Sequence, residues 1–170
     1  PYTTLFRFNK TESNATSSAA GSSTSAAGNS QATTKQDGHL ITAKQALSAG
    51  EYAKAIEEAT ASIKNNANNA EAYSVRGFAT ALNGDAAKGL TDTKKAYDLD
   101  SNNVANYYNM AMVYKLQGQL NDSKQWFEKV LEKDPSNTWS VYGIATIYAD
   151  QGEDTKALDW LEKAIKIDPS

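Results

Sequence analysis

The side chains best suited to chemistry are few. The chain of 170 residues has one histidine, His39, and no cysteine. A lone imidazole is a poor start for a metal centre, because zinc sites draw several ligands from Cys, His and carboxylates. Without cysteine there are neither disulfides nor thiolate sites. Carboxylates are more plentiful: Glu57, Glu58, Asp92, Glu128, Glu132, Asp159 and Glu162 all fall in helix-compatible stretches. A general acid–base pair needs two such groups held together in unlike environments. Most of these instead have lysines nearby, as Glu128 has Lys124 and Glu162 has Lys163 and Lys166. That is the pattern of a solvated helix face. Gly21 and Gly28 lack the flanking strand and helix that a phosphate-binding loop requires. No catalytic residue, no metal site and no cofactor is expected. What the residues can supply is contact area.

The elements that present this area are set by four glycines, Gly50, Gly84, Gly118 and Gly152, spaced 34 residues apart. A fixed period of this length, with helical stretches on both sides of a turn, indicates stacked helical hairpins. Glycine suits the turn because it takes left-handed backbone values at little cost. The frames run 36–69, 70–103, 104–137 and 138–170. Their eighth residues are Ala43, Gly77, Ala111 and Ala145, and their twentieth are Ala55, Gly89, Ser123 and Ala157. Small side chains at these places let two antiparallel helices approach closely. Gly89 carries a cost of about 1 kcal/mol relative to alanine inside a helix. Asn69, Asn103 and Asn137 are good N-caps, and Asp134-Pro135 and Asp168-Pro169 end helices. The expected helices are 39–49, 52–64, 70–83, 86–98, 104–117, 120–133, 138–150 and 154–167. The first hairpin lacks large core side chains and should be the weakest.

Residues 1–35 differ in kind. After the aromatic stretch of residues 1–8, residues 11–34 are almost wholly Ser, Thr, Ala, Gly and Asn, a composition that reads as a flexible linker. Such a linker could tether the domain to a membrane anchor upstream, so the expected location is cytoplasmic or membrane-tethered. No stretch reaches 18 consecutive apolar residues, so direct membrane insertion is not expected within this sequence. Asn9-Lys10-Thr11, Asn14-Ala15-Thr16 and Asn121-Asp122-Ser123 fit the glycosylation pattern, which Ser/Thr-rich sequence meets by chance. The net charge is −3, and the start is the basic part, with Arg7, Lys10 and Lys35 against Glu12. A mildly acidic, evenly mixed remainder argues against a nucleic-acid partner.

The repeated pattern resembles the tetratricopeptide repeat family. The last frame carries the resemblance through Val141, Ile144, Ala145, Tyr148, Gly152, Ala157, Leu161, Ala164 and Pro169. The third carries it through Tyr107, Met110, Ala111, Tyr114, Gly118, Phe127 and Pro135. The second departs at Arg76, Thr80, Gly89 and Thr93, and the first keeps little beyond Ala43, Gly50 and Ala55. The resemblance implies an all-α fold: a right-handed superhelical solenoid of four 34-residue hairpins, with the first helices lining a concave trough. It places Lys44, Phe78, Tyr108, Asn109, Met112, Lys115, Trp139 and Tyr142 in that trough, as a site for a protein or peptide partner. Aromatic residues there bury large area at low entropic cost. For Phe78 and Met112 the competing reading is packing between first helices, whereas Tyr108 and Trp139 lie outside the core places. Some members hold a partner's C-terminal carboxylate with Lys, Asn and Arg side chains. At the matching places this chain keeps only Asn109, or Lys44 with Asn109, which argues against a clamp of that type. An assembly reading stands beside the binding one. The final helix offers Trp160, Ile165 and Ile167, through which the solenoid end could self-associate into a homo-oligomer.

Overall fold

The structure, a computed structural model, describes residues 37–169. The linker, the residues 1–8 stretch and the first two glycosylation matches lie outside them. The described residues form eight α-helices and no strand: α1 Gly38–Ala49, α2 Tyr52–Asn65, α3 Ala70–Leu82, α4 Ala86–Leu99, α5 Val104–Leu116, α6 Leu120–Lys133, α7 Thr138–Asp150 and α8 Asp154–Ile167. Every boundary falls within one residue of the expected one, because the capping residues are explicit in the sequence. Asp37, Asn69, Asp85, Asn103 and Asn137 each accept a backbone N–H of the first turn that follows. At the other end Gly50, Gly84, Gly118 and Gly152 adopt φ of 79°, 107°, 76° and 75°. The residue after each glycine returns its N–H to the helix: Glu51 to Ala46, Asp85 to Thr80, Gln119 to Tyr114 and Glu153 to Tyr148, at 2.9–3.1 Å. This left-handed closure satisfies the carbonyls that a helix end leaves open.

Consecutive helices pack against one another, and α3 also touches α1 and α5, so the first helices of the hairpins share a layer. The core runs along that layer through Val75, Phe78, Val113, Ile144 and Ile147, joined by Phe127 of α6, all at most 2% exposed. The first hairpin contributes Ala43, Ala46, Ala55 and Ala59 to the core, small side chains as expected, together with one larger one, Leu47.

The closest approach is between α3 and α4. A Cβ added at Gly89 would stand 2.4 Å from the Gly77 carbonyl oxygen and 2.9 Å from the Ala81 backbone nitrogen. One added at Gly77 would stand 2.7 Å from the Gly89 carbonyl oxygen. The propensity cost of Gly89 is therefore the condition for backbone-to-backbone packing, and two glycines share it.

Candidate functional site

The layer of first helices is laced by polar side chains. Lys44 of α1 pairs with Glu71 of α3 at 2.5 Å. One turn further along the layer, the Asn109 amide of α5 donates to the Ser74 hydroxyl of α3 at 2.7 Å. Lys115 of α5 donates to the Thr146 hydroxyl of α7 at 2.6 Å, and its Nζ lies 3.4 Å from the Asp150 carboxylate. Each hairpin is thereby tied to the next across the expected trough.

These contacts divide the expected trough residues into two groups. Phe78 is 1% exposed and Met112 7%, so both fill space between helices, the competing reading for these two. Asn109 is 7% exposed and Ser74 5%, which makes their hydrogen bond a buried one. Asn109, expected to line the trough, is buried and holds α5 to α3. A buried amide without its partner costs about 1–3 kcal/mol, so this residue supports the fold. Lys44 and Lys115 are half-buried and engaged with neighbouring hairpins.

Tyr142, Trp139 and Tyr108 form the accessible group. Tyr142 is 50% exposed, while Trp139 and Tyr108 are half-buried. The Tyr108 ring packs edge-to-face with Phe127 at 5.6 Å between centroids, which holds it in place. Phe127 in turn lies where a Cβ on Gly143 would stand, 2.6 Å from its ring, so the glycine of α7 admits the ring that supports Tyr108. Leu116, 38% exposed, extends the apolar character along α5.

The solenoid end also differs from expectation in part. Trp160 is half-buried against the core, with Lys163 Nζ 4.0 Å from its ring centroid. It belongs to its own hairpin more than to an outer surface. Ile165 and Ile167 are exposed at 63% and 37%, and Leu158, at 61%, joins them. The single histidine makes no metal cluster, and no group of three or more potential metal ligands occurs among the described residues. His39 Nδ1 instead lies 2.7 Å from the Glu58 carboxylate, which raises the imidazole above its ordinary range. Nearby, Asp37 accepts from the Ser62 hydroxyl and from the first-turn amides of α1, which hold its carboxyl below the usual range. No described helix is long and apolar enough to cross a membrane.

Comparison with known proteins fits this geometry. No curated protein matches the chain in sequence. Among solved structures, a thermophilic tetratricopeptide repeat protein from Thermus thermophilus superposes with a TM-score of 0.72 at 17% identity, covering 81% of this chain and 77% of that one. MamA gives 0.66 at 21% identity, with 77% of each chain covered. A tetratricopeptide repeat protein from Parabacteroides merdae gives 0.67 at 20% identity, covering 75% of this chain and 50% of that one. At these identities the likeness shows the fold. In sequence, residues 104–137 match one model of the tetratricopeptide repeat and residues 140–170 match another. With two repeats matched in sequence and a helical stack shared with tetratricopeptide proteins, residues 104–170 carry tetratricopeptide repeats within a tetratricopeptide-like fold.

Proposed function

We propose that this chain is a protein-interaction scaffold that takes a peptide segment along α5 and α7, anchored by Tyr142, Trp139 and Tyr108. The observation that carries the reading is the exposure of Tyr142 beside two half-buried aromatics on the layer of first helices. Aromatic anchors of this kind dominate interface energetics, while the polar pairs around them fix the shape of the surface. Lys115 and Asp150 flank the aromatics and offer a rim of both charges. Of the places of a carboxylate clamp only Asn109, or Lys44 with Asn109, is kept, so the partner is read through apolar side chains rather than a chain end. The test is selection from a displayed peptide library, followed by titration against variants. Tyr142→Ala and Trp139→Ala should each weaken selected peptides by about 2 kcal/mol or more, the usual cost of a hot-spot truncation. Tyr142→Ala should leave the thermal midpoint nearly unchanged, whereas Asn109→Ala should lower it through the Ser74 bond. Peptides indifferent to both aromatic truncations would remove the proposal.

A second reading, self-association through α8, is favoured by the exposure of Leu158 and Ile165. Ile165→Glu should convert a concentration-dependent oligomer to monomer in sedimentation. An oligomer that survives both this change and Leu158→Glu would have its interface elsewhere.

A further inference from the structure

Thr80 occupies the eleventh place of its 34-residue frame, where the next two frames carry Tyr114 and Tyr148. Tyr148 shows what a ring at this place does. It lies against Lys124 of the preceding second helix, whose Nζ is 5.1 Å from the ring centroid and 3.3 Å from the hydroxyl. Lys156, on the second helix of its own hairpin, approaches to 5.3 Å. One tyrosine thus sits between two hairpins and meets a cation from each.

The corresponding places around Thr80 are Ile56 on α2 and Lys88 on α4. With threonine in place of a ring, the groove there stays open as a cavity of about 480 Å³, whose lining includes Ile56, Thr60, Arg76, Thr80, Lys88 and Asp92. That volume falls within the roughly 300–1,000 Å³ typical of small-ligand pockets. A second departure shapes its wall. Arg76 stands at the seventh place, where Met110 and Ile144 stand in the next two frames. Its guanidinium makes two bonds to Asp92, at 2.6 and 2.8 Å, and a longer one of 3.4 Å to the Thr60 hydroxyl. Asp92 thus balances Arg76, and Asp85, which also lines the cavity, offsets Lys88, so the cavity has no need of an anionic occupant.

We propose that this cavity receives an aromatic side chain of a partner peptide, its ring seated between Ile56 and Lys88 as the chain's own Tyr148 is seated between Lys124 and Lys156. Ile56 supplies apolar contact and Lys88 a cation for the ring face. The site lies on α2, α3 and α4, apart from the aromatics on α5 and α7, so it stands or falls independently of the reading above.

The experiment is a titration of the full chain, labelled for amide NMR, with N-acetyl-L-tyrosinamide, and with N-acetyl-L-alaninamide as control. A parallel titration uses a Tyr2→Ser, Phe6→Ser, Phe8→Ser variant, so that the chain's own N-terminal aromatics do not compete. The expected result is saturable shifts at Ile56, Thr60, Thr80 and Lys88 with the tyrosine compound only, in at least one of the two proteins. The dissociation constant should be roughly millimolar, as suits a fragment of this size. Thr80→Tyr, which restores the ring of the other frames, should abolish these shifts while the chain stays folded. Lys88→Ser should weaken binding about two- to five-fold, the equivalent of one exposed cation–π contact. It decides the matter if Thr80→Tyr does not fold. No saturable shift in either protein, equal response to the alanine compound, or binding unchanged in folded Thr80→Tyr and in Lys88→Ser would overturn the proposal.

Discussion

Gly89→Ala is the sharpest test of how this chain packs, because local and tertiary arguments give opposite signs. Taken alone, α4 gains up to about 1 kcal/mol when the glycine of its first turn becomes alanine. Across the α3–α4 contact the new methyl would stand 2.4 Å from the Gly77 carbonyl oxygen and 2.9 Å from both the Ala81 nitrogen and its Cβ. Two of these three neighbours are backbone atoms, which cannot rotate aside. To reach ordinary contact the helices must separate by about 1 Å, and a gap of that size forfeits a quarter to a half of each dispersion contact it opens. Overpacking of a filled interface costs about 1–3 kcal/mol, and a backbone clash belongs at the upper end. Subtracting the propensity gain leaves a net loss of about 2 kcal/mol, or roughly 6–10 °C in the thermal midpoint for a domain of this size. Urea and thermal unfolding followed by circular dichroism measure it. Gly77→Ala should behave similarly, since its Cβ meets the Gly89 carbonyl at 2.7 Å. The double variant should cost less than the sum, because both changes open the same contact. Gly38→Ala is the control, as nothing lies within 4 Å of the added methyl. If Gly89→Ala stabilises the protein as a propensity gain would, the close-contact argument is wrong.

Two other perturbations follow from the same reasoning. Asn106, 2% exposed, donates to the carbonyls of Ala96 and Asp100 and so closes the end of α4, whereas Ser140, at the same place in the next frame, has a buried hydroxyl with no partner. Asn106→Ala should therefore destabilise by about 1–3 kcal/mol while Ser140→Ala is neutral or mildly stabilising, a contrast that paired unfolding curves would expose. The first hairpin should respond to pH through His39, whose folded-state value is raised by Glu58. Its contribution is complete below the ordinary imidazole range near 6.5 and fades as pH rises through the raised value. Amide exchange in α1, corrected for intrinsic rate, should show better protection at about pH 6 than at about pH 8.5, and His39→Gln should erase that difference. Asp37 works in the opposite direction: its lowered value makes its contribution persist above the ordinary carboxylate range and disappear as pH falls.

The sequence alone determined the helices and their limits. Each turn glycine takes a left-handed conformation that few other residues tolerate, and each capping Asp or Asn satisfies donors within three residues of itself. These are local constraints, so a one-dimensional reading reaches them. The division of the trough was not local. Phe78 and Tyr142 are both aromatic and both expected on the inner faces of first helices, yet one is 1% exposed and the other 50%. Which of them is covered depends on how closely the helices stand, and that is set by contacts such as Gly77 on Gly89 within a hairpin and Phe127 on Gly143 between hairpins. Asn109 gave the same lesson, since its partner Ser74 lies 35 residues away on another helix. The cavity beside Thr80 was legible only as an irregularity, a threonine where two other frames carry tyrosine. Tertiary structure turned that missing bulk into a space with walls, because the grip of Lys124 and Lys156 on Tyr148 requires three helices to be in place at once.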